Sequence, residues 1–327
     1  MAHAITKRKN GFHEMAYVGA KPWHGLGQEL KEGASVDEWL VAAGMDWKVQ
    51  RSLVRYATSA KGADLRTWDD YHVLLRSDTG NPLGMVSDSY KLVQPRQVLE
   101  FFRDLVEVAG FKLETAGTLY GGKKFWALAS IQAEDCVVGK DLIKGKLLMA
   151  SSCDLSLPTI AKEVAERVVC ANTLAIAMGE KGGKQIQVSH RSKYDERAIK
   201  AQLGLCVGSF ERFMADARKL SKRRVSMAEA TAYFGNMVAR ADDAEQQRKV
   251  EEDRAFRKMM ALFTGEGRGA NLPGVKDTAW GLVNAVTEYV DHSRPAHSID
   301  NRINNAWFGG GSDRKERAME EALVLVR

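Results

Sequence analysis

Phe111-Lys-Leu-Glu-Thr-Ala-Gly-Thr-Leu-Tyr120-Gly-Gly-Lys-Lys-Phe-Trp-Ala-Leu-Ala-Ser-Ile131 is the stretch that decides the fold of this chain. Two apolar-rich runs flank Gly121-Gly122. A two-residue glycine link suits a tight hairpin, because glycine tolerates the positive φ of the primed turns. Antiparallel strands therefore anchor the first half. Just upstream, Pro95 fits the first turn of a helix. Val98, Phe101, Phe102, Leu105, Val106 and Ala109 follow at helical spacing, and Gly110 ends the run. Earlier still, Ser35-Val-Asp-Glu38 is a capping-box pattern that starts a helix over about 36–43. Trp47 to Tyr56 reads as a strand. Tyr71 to Arg76 pairs with Gly84 to Tyr90 across the turn-rich Asp78-Thr-Gly-Asn-Pro82.

Downstream, Lys146 to Ser152 is a further apolar strand candidate. Pro158 to Met178 admits two readings. Ile160, Val164, Val168 and Leu174 fit one helix face, while Asp154 to Pro158 can close a hairpin. The hairpin is preferred, with Thr159 to Val169 as a strand and a helix starting near Cys170. From Asp195 the pattern is helical: a long helix to Leu220, one capped by Ser226-Met-Ala-Glu229, a charged run over 242–263, an amphipathic run over 278–292, and a last helix opened by Ser312. Gly265 to Gly274 reads as a glycine-rich loop. The expected fold class is α+β, with an antiparallel β-hairpin sheet and packed helices in the first half and a helical second half. The expected division is a β-rich core over 1–194 and a helical region over 195–327, docked on the core or on a neighbouring subunit.

The composition, 45% hydrophobic and 28% charged over 327 residues, is that of a globular chain with a real core. No apolar run approaches the ~20 residues of a membrane helix. The basic start, Met1 to Lys9, has no apolar stretch behind it, so no secretory signal is expected. Cys136, Cys153, Cys170 and Cys206 form no Cys-x-x-Cys pair. Zinc and thioredoxin-type chemistry are not written here, and reduced core thiols are expected. The net charge is +6, but between Lys181 and Arg224 twelve basic residues face four acidic ones. That local excess of eight exceeds the charge of the whole chain and suits a polyanionic partner or a solvated helix face.

Four constellations invite chemistry. Trp23 and His24 stand among glycines in Lys21-Pro-Trp-His-Gly-Leu-Gly27, which suits structural anchoring better than phosphate binding, since no Gly-x-Gly-x-x-Gly follows a strand. Cys170, His190 and Asn172 have the residue types of a thiol triad, yet Cys170 lies between Val169 and Ala171 without an adjacent cation. Glu288, Asp291 and His292 share one helical face, as metal ligands or surface charges do. Tyr120, Lys123, Lys124, Phe125 and Trp126 combine cations with flat rings, the mixture that single-stranded nucleic acid requires. Core packing of Phe125 and Trp126 is the competing explanation.

Pro22-Trp-His-Gly-Leu-Gly27, Arg167-Val-Val-Cys-Ala-Asn-Thr-Leu174, Trp280-Gly-Leu-Val-Asn-Ala-Val-Thr-Glu-Tyr-Val-Asp-His292 and Asn305-Ala-Trp-Phe-Gly309 together resemble the phage/plasmid-like protein family with the domain of unknown function 932. The resemblance implies a gene of phages, prophages or plasmids and a bacterial cytoplasm, without a mechanism. Such elements commonly encode annealing proteins with a coarse hairpin-and-helix core, a comparison at the level of fold alone. The expected function is binding of single-stranded nucleic acid, DNA before RNA, by a homo-oligomer, with strand annealing as its finer form. Contacts are assigned to Lys123, Lys124, Trp126, Lys184, Arg191, Lys193 and Arg197. No catalytic residue, metal or cofactor is assigned, and no membrane partner. The alternatives are a protein–protein module acting on host defence or replication and, behind it, a metal- or thiol-dependent enzyme.

Overall fold

Local signals set the first elements. Ser35 Oγ accepts from the Glu38 amide while the Glu38 carboxylate accepts from the Ser35 amide, closing the capping box of α1 (Val36–Ala42). Ser226 and Glu229 repeat the reciprocal pair ahead of α4 (Met227–Val238). A computed structural model describes residues 6, 8, 11–22, 25–59, 62, 64–109, 111–176, 186–188, 208–238 and 250–327. They form an α+β structure, with the sheets in the first half of the chain and most helices in the second. Among the described residues, no helix is long and apolar enough to cross a membrane.

The strands are β1 (Met15–Val18), β2 (Gln28–Leu30), β3 (Val49–Ala57), β4 (Leu65–Arg76), β5 (Pro82–Ser87), β6 (Lys112–Leu119), β7 (Lys124–Cys136), β8 (Leu142–Ser152), β9 (Thr159–Arg167), β10 (Asn172–Ala175) and β11 (Ile186–Val188). After α2 (Pro95–Ala109), the described helices are α3 (Ser209–Lys222), α4, α5 (Arg254–Ala261), α6 (Ala279–Glu288), α7 (Ile299–Phe308) and α8 (Gly310–Val324). The larger sheet runs β10-β9-β8-β7-β6-β1-β2, with β11 also paired to β9, and β3-β4-β5 form a separate sheet. Two compact units share the chain. The first holds Met1–Ile131, Leu147–Lys162 and Gln185–Leu205, and the second holds Gln132–Lys146, Glu163–Lys184 and Cys206–Arg327.

Each unit has its own core. In the first, Trp39, Met45, Trp47, Leu74, Leu83, Phe101, Phe102 and Phe125 are buried together. In the second, Phe213, Met214, Phe234, Met259, Phe263, Trp280 and Val286 are. Tyr233 and the rings of Phe234 and Phe263 pack edge-on there, the arrangement aromatic quadrupoles favour.

The deciding hairpin forms, with a longer link than two residues. Leu119 pairs with Lys124, and Tyr120, Gly121 and Gly122 all take positive φ between them. Packing explains the second glycine. A Cβ on Gly122 would lie 2.7 Å from the Trp47 ring and 3.0 Å from Arg76 Nη1. The region after Cys170 departs from expectation. The chain turns at 168–171 and returns as β10 against β9, pairing Asn172 with Arg167 and Leu174 with Ala165. The expected helix is therefore a strand, because Thr173 and Leu174 extend a ladder that β9 offers. Helix α7 was not expected, nor were β1, β2 and the first half of β4, whose Asp69 and Asp70 weaken the strand pattern.

A buried ion pair holds the first unit's polar centre. Both oxygens of Glu14 accept from Arg76, at 2.8 and 3.0 Å, and Arg8 and Thr118 add further donors. Arg76 also lies over the Trp47 ring, 4.4 Å from its centroid, and donates to the Gly121 carbonyl. Asp78 also accepts from Arg76, at 2.8 and 3.0 Å, so removing Glu14 leaves the guanidinium one carboxylate. Glu14→Leu is therefore expected to cost less than a charge stranded outright, on the order of 1–3 kcal/mol in chemical denaturation. Adding Arg76→Met should restore most of that loss, and a double variant as unstable as the single one would refute a charge-based origin.

Candidate functional site

The strings Arg167 to Leu174 and Trp280 to His292 meet in the second unit. Arg167, at the end of β9, donates from Nε to Asp141 Oδ1 at 2.6 Å, and Trp280 Nε1 donates to Asp141 Oδ2 at 2.9 Å. All three side chains are buried. The remaining guanidinium nitrogens reach the carbonyls of Arg268 and Gly269. The glycine-rich stretch over 265–274 is thus an acceptor platform. Gly269 has φ 69°, and a Cβ there would stand 2.9 Å from Val169 and 3.0 Å from Arg167 Nη2.

The three residues expected on one face of the 278–292 helix each engage a different partner. Glu288 accepts from the Arg268 amide. Asp291 lies in the π-turn that continues α6; it accepts from the Thr173 amide at 2.8 Å and from Lys315 Nζ at 2.7 Å. His292 Nε2 donates to the Cys170 carbonyl at 2.8 Å. Asp291 and His292 hold the β9–β10 turn and Glu288 the glycine-rich stretch, so the three do not converge on one point as metal ligands would. Asn172 donates to Thr287 Oγ1.

Cys170 is buried in this network. Burial pushes its thiol up to about 11, against the pull of the Arg167 guanidinium 3.6 Å away. A thiol so rarely ionised at neutral pH is a poor nucleophile. Its supposed partner His190 lies outside the described residues. Cys136, Cys153 and Cys170 are free thiols, and Cys206 lies outside the described residues.

The expected nucleic-acid contacts fall in three places. Lys123 is exposed in the β6–β7 link. Lys124 and Trp126 require correction: they are 6% and 1% exposed. Strands β6 and β7 are interior strands of the large sheet, so a ring on β7 packs in the core and cannot stack on a base. Burial also lowers the Lys124 pKa, and Asp154 partly offsets it. Lys184, Arg191, Lys193 and Arg197 lie outside the described residues, as do Trp23 and His24. In the described end of the basic block Arg218 is bound to Asp135, Lys219 to Asp216 and Arg223 to Glu229, while Lys222 and Arg224 are exposed.

Another surface has the sought chemistry. On the β3–β4 hairpin, Tyr56 is 48% and Trp68 is 42% exposed, with Leu53 and Leu65 exposed beside them. Tyr56 pairs with Arg66 and Val54 with Trp68, and partners in register point to one face. The Trp68 and Tyr71 rings stand 4.3 Å apart, Arg66 is exposed on the face of Tyr56 and Trp68, and Arg55 is exposed on the other face. A register shift between Leu53 and Val54 leaves residues 69–71 as a bulge, which bends the outer half of the hairpin. The sequence signal was there, as the i, i+2 spacing of Val54 with Tyr56 and of Arg66 with Trp68, but Asp69 and Asp70 masked it.

Residues 82–307 match the sequence model of a family described as a domain of unknown function (DUF932). The match begins at β5, after the β3–β4 hairpin, and takes in the whole Asp141–Arg167–Trp280 network. No curated protein and no solved structure matches the chain.

His292 gives the network a pH dependence. Burial holds its imidazole below the ordinary 6.5, helped by the charges of Arg268 and Arg302 and opposed by Asp291. A depressed imidazole binds fewer protons folded than unfolded, so its contribution is present above pH 6.5 and is lost as pH falls below that value. Glu288, raised mainly by burial, acts in the opposite sense, losing stability as pH rises above 4.5. The urea midpoint should fall between pH 7.5 and 5.5, and His292→Gln, which keeps a donor for the Cys170 carbonyl, should shrink that fall. An equal fall in both proteins would remove His292 as its source.

Proposed function

The chain belongs to the family of the domain of unknown function (DUF932), and we propose that it binds single-stranded nucleic acid. The observation that carries this proposal is the β3–β4 hairpin, which holds Tyr56, Trp68 and the adjacent Tyr71 at a surface with Arg66, while Arg55 points to the other face. Unstacked bases need flat rings to lie on, each contributing ~1–3 kcal/mol, and guanidinium groups add contacts to phosphate or to the base face. Asp64, Asp69 and Asp70 share the hairpin. Stacking rather than net charge is therefore its main source of affinity. Lys123 supplies a further surface cation, and Lys184, Arg191, Lys193 and Arg197, outside the described residues, are proposed as phosphate contacts on their sequence alone. The setting proposed is a phage or plasmid gene expressed in a bacterial cytoplasm, with DNA as the preferred strand and annealing by a homo-oligomer as the finer activity.

Self-association is the second reading, and a specific observation favours it. Leu53, Leu65 and Met85 expose apolar surface on the three-stranded sheet, whose β3 edge is unpaired among the described residues. Salt separates the two, since loss of phosphate contacts steepens with salt and apolar association does not.

Fluorescence anisotropy with a single-stranded oligonucleotide at two salt concentrations tests the proposal. Trp68→Ala and Tyr56→Ala should each weaken binding by about 1–3 kcal/mol and leave the salt slope unchanged. Arg66→Gln should reduce the slope by roughly 0.7, the value of one phosphate contact on a single strand. Wild-type protein that fails to bind at low salt, or hairpin variants that bind like wild type, would overturn it.

A further inference from the structure

The aromatic side of the β3–β4 hairpin is the outer face of the whole three-stranded sheet. Leu53 pairs with His72 and His72 with Val86, while Ser52 pairs with Val73 and Val73 with Met85. Paired residues share a face, and successive residues along a strand alternate between faces. Val86 and Leu74 are buried, so theirs is the inner face. Gly84 pairs with Leu74, and a Cβ there would lie 2.4 Å from the Cys153 carbonyl oxygen, so backbone abuts that side. Met85, on the opposite face, is 50% exposed. Tyr71 pairs with Ser87, two positions from Met85 on β5. Its ring contact with Trp68 carries the outer face across the bulge to Tyr56 and Arg66.

This face is apolar and nearly free of charge. Tyr56, Trp68, Tyr71, Val73 and Met85 occupy it, and among the described residues Arg66 is the cation at a ladder position there. No carboxylate of the described residues holds a ladder position on it; Asp69 and Asp70 sit in the bulge. A nucleic-acid strand laid phosphate-down on such a surface would lose hydration at each charge and gain one counter-ion. Laid base-down, it exchanges water for rings and a thioether, and leaves its phosphates in solvent except at Arg66.

We propose that single-stranded nucleic acid crosses β3, β4 and β5 with its bases against the outer face and its phosphates in water, and that Met85 is a base contact. The inference rests on the nucleic-acid reading given above and adds the orientation of the ligand to it. The group recognised here is the unpaired base, and the charge of the backbone is dispensable.

Two short oligothymidylates test it by fluorescence anisotropy with the full chain, one with ordinary phosphodiester linkages and one with uncharged methylphosphonate linkages. Both should bind. Trp68→Ala should weaken both by the same factor, roughly five- to 150-fold. Met85→Ala should weaken both by roughly two- to tenfold, and Met227→Ala, at an exposed methionine of the second unit, should change neither. All three side chains are exposed, so the variants should melt like wild type. An abasic strand of equal length should be bound no better by wild type than by Trp68→Ala. Trp68-dependent binding of the phosphodiester strand beside no binding of the methylphosphonate strand overturns the orientation and leaves the nucleic-acid reading in place. Met85→Ala that binds both strands like wild type overturns the path across β5. Failure of both strands to bind removes that reading and this inference with it, and light scattering then shows whether a second copy covers the face.

Discussion

The guanidinium of Arg167 is the joint on which the second unit depends. It closes on Asp141 before β8, on two carbonyls of the glycine-rich stretch and on the sulfur of Cys170. Asp141 in turn receives the Trp280 indole from α6. Stretches far apart in sequence therefore meet at one desolvated charge pair. Such a pair is stable only with every donor and acceptor matched, so it specifies one arrangement of its neighbours more than it adds to net stability. The turn after β9 inherits that order. Thr173 and Cys170 are held by Asp291 and His292, which leaves Val168 and Val169 at the surface of an otherwise fixed loop.

The first unit solves the same problem with different parts. Its charge pair, Glu14 with Arg76, is roofed by the Trp47 ring and bordered by the glycine link of the β6–β7 hairpin. In both units an arginine at a strand end reaches a glycine carbonyl, Gly121 in one and Gly269 in the other. A Cβ on Gly269 would stand 3.0 Å from Arg167 Nη2, and in the first unit it is one on Gly122, next to Gly121, that would stand 3.0 Å from Arg76 Nη1.

Much of this was legible in the sequence where the cause is local. Capping boxes at Ser35 and Ser226 and the hairpin around Gly121 rest on neighbours a few residues apart, and each appears in place. What depended on distant partners was not legible. Nothing near Cys170 announces that β9 offers an open ladder, so the following segment read as helix rather than β10. Trp126 and Lys124 have the chemistry of a binding surface, but strands on both sides place them inside.

The distribution of the two units along the chain has a consequence for its birth on the ribosome. Neither unit is a continuous segment: β7, β8 and β9 each begin in one and end in the other. The first core lacks Leu147, Met149 and Ala161 until β8 and β9 have emerged. The second awaits α6 and α8 before Asp141 and Asp291 meet Trp280 and Lys315. No single cut can release either unit with all of its strands. Truncation at any one point therefore takes residues from a unit whose other parts lie elsewhere in the chain, despite the presence of two cores.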